Sequence, residues 1–316
     1  MDLLKKELPS VKRFQVSVII PVYKADKFLK EAVISAIDLK EVGEVILIED
    51  GSPDDSFHVC EELSKKYEKV KLFQHPDGKN KGAGASRNLG VRKASCEYIA
   101  FLDADDWYLP NRFVKDVEIF IKYKNVDAAY SSSILEEDVG NNEKRYGAKE
   151  DIRRIWNYEI TSFEFYKEVL GRELVLFNTN SVTFRKEFLS VQKLFDKRLR
   201  LHQDTELWYR LIRRGNFYAS EVFKPVAVVR RHDQNRITSR TTKSTLKMFA
   251  YFIENVGMKN LYDFERSYLL KKIIRLESEK FDSSLRRRIF YYFTYTINKP
   301  FSESYLKQFI KKFNDD

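Results

Sequence analysis

The sequence predicts an α/β protein: a mixed, largely parallel sheet flanked by helices, with a helical C-terminal extension. Three observations predict it. Through the first third of the chain, short β-branched runs alternate with segments whose apolar residues recur at helical spacing, the order that builds a parallel sheet covered on both faces. Acidic and glycine-bearing segments follow directly on the strand-like runs. Beyond Thr241 the pattern is helical and rich in aromatic residues, without glycine-rich linkers.

Val16-Ser-Val-Ile-Ile-Pro21 reads as a buried strand, and Phe28, Leu29, Ala32, Val33, Ala36 and Ile37 then line one helical face. Val45-Ile-Leu-Ile-Glu49 is the next strand. In Ser52-Pro53-Asp54-Asp55 a capping hydroxyl, a proline at the first helical position and a carboxylate at the third predict a helix start at Ser52. Val70–Gln74 and Tyr98–Leu102 supply two further strands, with a helix from about Gly84 to Lys93 between them. The middle of the chain carries helical patterns at Ser162–Leu170 and Asp204–Arg213. In sheets of this kind ligands sit at the carboxyl ends of the strands. That edge collects Pro21-Val-Tyr23, Glu49-Asp50-Gly51 and Asp103-Ala104-Asp105-Asp106.

The 316 residues suit one large domain or two smaller ones, and a hydrophobic fraction of 43% is enough for a sizeable core. A net charge of +10 suits an anionic partner: nucleotide phosphates, nucleic acid or an acidic membrane surface. Residues 236–316 hold 17 Lys and Arg against 9 Asp and Glu, so the tail supplies most of that surplus. Acids clustered on the binding rim would repel nucleic acid, and no nucleic-acid partner is expected. Cys60 and Cys96 lie in apolar-patterned segments and read as buried free thiols of a reducing compartment. Met1–Lys6 lacks the apolar core of a signal peptide. No apolar run approaches the roughly 18 residues of a membrane span, so a cytoplasmic protein is expected, at most lying on the inner face of the membrane.

The rim motifs carry chemistry. Carboxylates at Asp103 and Asp105, just past a buried strand, can address a ribose and a divalent cation from one edge, because Mg²⁺ or Mn²⁺ takes one or two carboxylates plus phosphate oxygens and water. Solvated acidic loops are common, so this signal gains weight only from its position. Glu49 or Asp50 can accept the imide N–H of uracil while Gly51 permits a tight turn. Asn80-Lys-Gly82-Ala-Gly84-Ala-Ser-Arg87-Asn88-Leu-Gly90 opens a helix with close-approach positions, and Arg87 would face the acids or a phosphate.

Taken in order, Val18-Ile-Ile-Pro-Val-Tyr23, Ile48-Glu-Asp-Gly-Ser52, Gly82–Gly90 and Phe101-Leu-Asp-Ala-Asp-Asp106 resemble the successive motifs of family 2 glycosyltransferases of the GT-A fold. The resemblance runs from about Val16 to Trp107 and more loosely to His232. It implies a Rossmann-type mixed sheet, a nucleotide-diphospho-sugar donor, Mn²⁺ or Mg²⁺, and inversion at the anomeric carbon. By position, Pro21 and Tyr23 would line the base pocket and Asp50, beside Glu49 and Gly51, would read the base. Gly82, Arg87 and Ala104 would approach the donor, Asp103 would hold the ribose, and Asp105 would hold the metal. His202-Gln203-Asp204-Thr-Glu206-Leu207 resembles the element that supplies the general base, which assigns that role to Asp204. Arg230-Arg231-His232 resembles a loop that closes over the diphosphate, with His232 able to touch the metal. Glu49, Lys24, Ser86 and Gln203 depart from the usual pattern.

The expected division is a nucleotide-sugar-binding half at 1–130, an acceptor-binding half with the base at 131–235, and a basic, aromatic-rich helical region at 236–316. The expected activity is transfer from a UDP-sugar, or another nucleotide sugar, to a glycan or lipid-linked acceptor in bacterial surface polysaccharide synthesis. An inactive sugar-nucleotide-binding relative and a basic nucleic-acid-binding protein are the alternatives. Two readings stand for the basic, aromatic segment from Leu285 to Tyr295: a helix on anionic lipid, or one whose aromatics pack on the rest of the chain.

Overall fold

The computed structural model describes residues 14–139, 143–147, 162–171, 177–231 and 241–314. Strand β1 is Val16–Val22, helix α1 Leu29–Ile37, β2 Val42–Glu49, α2 Ser56–Lys66, β3 Val70–Gln74, α3 Ala83–Lys93 and β4 Tyr98–Phe101. There follow β5 at Trp107–Tyr108, α4 at Val114–Lys122, β6 at Ala128–Tyr130, β7 at Ile134–Val139 and β8 at Glu143–Gly147. Next come α5 at Ser162–Gly171, β9 at Val182–Arg185, α6 at Lys186–Ser190, α7 at Gln203–Ile212, β10 at Phe217–Ala219 and β11 at Ala227–Arg231. The C-terminal region is four helices: α8 Thr242–Val256, α9 Asp263–Ser278, α10 Ser284–Asn298 and α11 Ser302–Asn314.

The main sheet runs β10-β6-β9-β4-β1-β2-β3. β1 is parallel to β2 and β4, and β2 to β3. β9 runs antiparallel to both β4 and β6, so the sheet is mixed, as expected. A second sheet, β5-β11-β7-β8, lies in the middle of the chain.

Alternation along each strand explains the two-sided core. Val16, Val18, Ile20 and Val22 of β1 pack with Leu29, Ala32 and Val33 of α1, while Ile19 joins Val91, Phe101 and Phe184 on the opposite face. β2 does the same, Val45 and Leu47 on one side and Ile46 and Ile48 on the other. Successive strand side chains point to opposite faces, so a strand apolar at nearly every position must be covered twice. Helices α5, α7, α8 and α9 supply the second cover.

Two local expectations are corrected. Ser52 does not cap a helix: α2 begins at Ser56 with Asp55 before it. The backbone N–H of Ser52 instead donates to Glu49 Oε1 at 2.6 Å, and its hydroxyl accepts from the N–H of Lys24, so Gly51–Asp55 is a turn tied to two strand ends. Of the two free cysteines only Cys60 is buried, its thiol pushed up to about 12 by burial. Among the described residues no helix is long and apolar enough to cross a membrane.

Candidate active site

Because β1, β2 and β4 are parallel neighbours, with Val22 opposite Glu49 and Ile19 opposite Phe101, their following loops emerge on one edge. Pro21 and Tyr23 are part-exposed there. Lys24, the next residue, sits at φ 55°, a left-handed turn that a side chain adopts reluctantly.

Asp50 is the hinge of the glycine-rich segment. It is 2% exposed, and its two carboxylate oxygens accept the backbone N–H groups of Lys81 at 2.7 Å and Gly82 at 2.8 Å. His75 Nε2 lies 3.4 Å from Oδ1 and 3.1 Å from the Ser86 hydroxyl. Glu49 turns into the sheet edge, where Gln74 donates to Oε2 at 2.8 Å. Gly51 at φ 67° could not carry a side chain, since a Cβ would stand 2.7 Å from the Gly78 carbonyl oxygen. The loop from Gly78 to Gly82 is therefore folded tightly over the end of β2.

The acidic turn after β4 is built by residues far away in sequence. Asp103 Oδ1 receives Arg87 Nη2 at 2.5 Å, and its backbone N–H donates to Asn180 Oδ1 at 2.9 Å. Asp106 is buried; Asn180 Nδ2 donates to one oxygen at 2.5 Å and the Arg230 N–H to the other at 2.7 Å. Burial pushes Asp106 well above the usual carboxylate range, the nearby Asp105 and Asp103 push it further, and those two donors pull the other way. Ala104 is buried and Asp105 part-exposed.

Arg230 reaches this turn because β11 pairs antiparallel with β5. Its guanidinium donates to the Asp105 carbonyl at 3.0 Å and to Glu31 Oε2 at 2.7 Å, and lies over the rings of Phe28 and Trp107. Asn180 is itself positioned by Arg112, which is 1% exposed, donates to the carbonyls of Asn180 and Val182, and pairs with Asp116 at 2.8 Å. Sequence reasoning missed Asn180, Arg112 and Glu31. The polar run Asn178-Thr-Asn180-Ser immediately before the β-branched start of β9 was the available signal for the first.

The start of α7 docks against the glycine-rich helix. A Cβ on Gly84 would strike Gln203 Oε1 at 2.0 Å, and one on Gly82 would strike Arg200. Asn88 exchanges two hydrogen bonds with the backbone of Phe195, and Arg87 lies over the Phe195 ring. Asp204 thus lies in the first turn of a helix pinned to the segment whose Arg87 holds Asp103. It is part-exposed, and the N-cap position of α7 belongs to His202 at φ 59°, whose side chain makes no capping hydrogen bond, so Asp204 does not occupy the cap position. His232 lies outside the described residues, as do the residues that follow it to 240.

Among the described residues no three His, Cys, Asp or Glu side chains are grouped around one point as a complete metal site, so the turn could supply at most one side of a divalent cation's shell, with phosphate oxygens and water supplying the rest. Asp103 and Asp105 are the carboxylates of the turn with surface exposure. Chemically the rim offers carboxylates for a cation or hydroxyl, arginines beside them, and a buried scaffold that fixes both.

Comparison with known proteins agrees with this geometry. The profile described as "Glycosyl transferase family 2" matches residues 17–189, more than half of the chain. An uncharacterized glycosyltransferase of Haemophilus influenzae is 36% identical over 108 residues, 34% of this chain and 42% of that protein. The minor teichoic acid biosynthesis protein GgaA of Bacillus subtilis is 25% identical over 259 residues, 80% of this chain and 55% of GgaA. The chain thus spans about half or less of the length of these two relatives. In fold it is similar to S. aureus TarS 1-349 solved in complex with UDP-GlcNAc, at TM-score 0.59 and 19% identity, over 85% of this chain and 73% of that one.

Proposed function

The chain belongs to glycosyl transferase family 2, and we propose that it moves a sugar from a UDP-sugar to an acceptor hydroxyl with inversion at the anomeric carbon. The observation that carries this reading is the acidic turn Asp103–Asp106, held between Arg87 and Arg230 on the same rim as the pinned first turn of α7.

In this mechanism Pro21 and Tyr23 lie beside the base and Asp103 meets the ribose, while Asp50 accepts the uracil imide only if the base enters beside the Lys81 and Gly82 N–H groups that already occupy its carboxylate. Asp105 would hold Mn²⁺ or Mg²⁺, which supplies charge neutralisation on the diphosphate. The acceptor oxygen attacks the anomeric carbon from the face opposite the diphosphate as Asp204 takes its proton. The bond from the anomeric carbon to the diphosphate oxygen breaks, and the developing negative charge leaves with UDP. Such electrostatic stabilisation is commonly the larger contribution to the rate, and the proton transfer adds about 10²–10⁴-fold.

We assign donor binding to residues 1–130 and acceptor binding with the base to 131–235. A hexosyl or N-acetylhexosaminyl transfer in teichoic acid or another surface polysaccharide is supported by the likeness to GgaA and by the UDP-GlcNAc complex of TarS. We place the reaction on a glycan or lipid-linked acceptor at the inner face of the membrane, and the free Cys60 and Cys96 suit the reducing cytoplasmic side. The test is UDP release from a panel of UDP-sugars by the purified chain with Mn²⁺, for wild type and Asp204→Asn. Turnover of one donor, lost in the variant, supports the reading. Equal turnover by both removes Asp204 from the role of base.

A further inference from the structure

We propose that α10 is a docking helix that lies flat on an anionic lipid surface. Six of the thirteen exposed large apolar side chains among the described residues fall between Leu285 and Phe301. Within α10 they are Leu285 at 63% exposure, Ile289 at 60%, Tyr292 at 61%, Phe293 at 69% and Ile297 at 50%. At 100° per residue these five share one face. The opposite side is turned inward: Phe290 packs against Phe281, Lys271 of α9 lies 5.8 Å from the Tyr295 ring centroid, and Arg287 donates to the Phe281 carbonyl. The apolar stripe is therefore left over after α10 has already packed: of the segment's aromatics, Phe290 and Tyr295 face the chain while Tyr292 and Phe293 face outward.

Charge selects the occupant. The same helical geometry sets Arg288 on one flank of the stripe and Arg286 at its other edge, between Phe293 and Ile297. From Ser283 to Ser302 the sequence has four cations, Arg286, Arg287, Arg288 and Lys299, and no carboxylate. A second copy seated on this face would bring cations against cations, with acids only at the two ends, Asp282 and Glu303. Anionic headgroups supply the missing charge while acyl chains receive the stripe. A 15-residue helix is about 22 Å long, short of the roughly 30 Å hydrocarbon layer, so it can lie on a membrane and not cross it.

The experiment is flotation of the full chain with vesicles of phosphatidylcholine alone or with 30 mol% (about a third) phosphatidylglycerol, across a salt series. Binding to the anionic vesicles, weakened by salt and absent with the neutral ones, is the expected result. Arg286→Gln with Arg288→Gln should weaken it about 25-fold, roughly fivefold per arginine. Ile289→Ser with Phe293→Ser should weaken it at least about tenfold. Both double variants should keep the wild-type melting temperature and UDP binding, since neither pair is packed. No vesicle binding, equal binding to neutral vesicles, or unchanged binding by both variants would overturn the proposal. So would self-association of the wild type that the Ile289 and Phe293 changes abolish, for that would make the face a contact between copies.

Discussion

Sequence order alone proposes Asp103, Asp105 and Asp204, but it does not reveal the residues that hold the acidic turn. Asn180 lies 77 positions from Asp103 in the chain and still donates to Asp106 while accepting the Asp103 N–H. Nothing in local periodicity reveals such a contact, because it depends on β9 inserting between β4 and β6. Removing it leaves a buried carboxylate short of a donor, so Asn180→Ala should lower stability by about 1–3 kcal/mol in denaturant titrations. In the proposed mechanism Asp204→Asn should cut kcat by about 10²–10⁴ with UDP affinity nearly unchanged, read in steady-state kinetics. A comparable loss of UDP affinity would show instead that Asp204 serves donor binding.

Elements were more legible than contacts. Strand β1 matches its β-branched run nearly residue for residue, since a strand covered on both faces writes a continuous apolar signal, and the edge strand β3 matches although only Val70 is buried in it. The start of α2 was misread because the hydroxyl of Ser52 is engaged by the Lys24 N–H, a partner from the neighbouring strand loop that no local motif displays. The tail shows the limit of helical periodicity: α8 and α10 both look amphipathic, yet α8 buries Met248, Phe249 and Phe252 while α10 buries nothing. At this scale Gly51 is the sensitive position. Its φ of 67° and the backbone oxygen 2.7 Å from a would-be Cβ leave no room to relax. Gly51→Ala should destabilise by about 1–3 kcal/mol and loosen the loop over β2. Thermal melting together with UDP binding would register both effects, and an unaltered melt would show that the turn yields freely.

Across the whole molecule, the end of the sheet opposite the rim is tied by a buried carboxylate. Glu44 accepts from the Ser17 hydroxyl at 2.6 Å, the Ser95 N–H at 2.6 Å and Lys71 at 2.5 Å. Burial alone would raise its titration point, but these donors outweigh it and bring the carboxyl from 4.5 down to about 2. A lowered carboxylate contributes stability that is present above its unfolded value and lost as pH falls through the folded one. Glu44→Gln should therefore cost about 1–3 kcal/mol at pH 7, and the gap to wild type should close between about pH 5 and pH 2. A gap independent of pH would mean that the network is held by shape and not by charge.

At the other end, the proposed function rests on one claim: a nucleotide diphosphate is held by carboxylates through a divalent cation. Calorimetric titration of UDP into the purified chain, with and without Mn²⁺, for wild type and Asp105→Ala, tests it most directly. The account predicts binding that requires Mn²⁺ in the wild type and is lost in the variant. Binding of equal strength without the metal, or undiminished in Asp105→Ala, would contradict it.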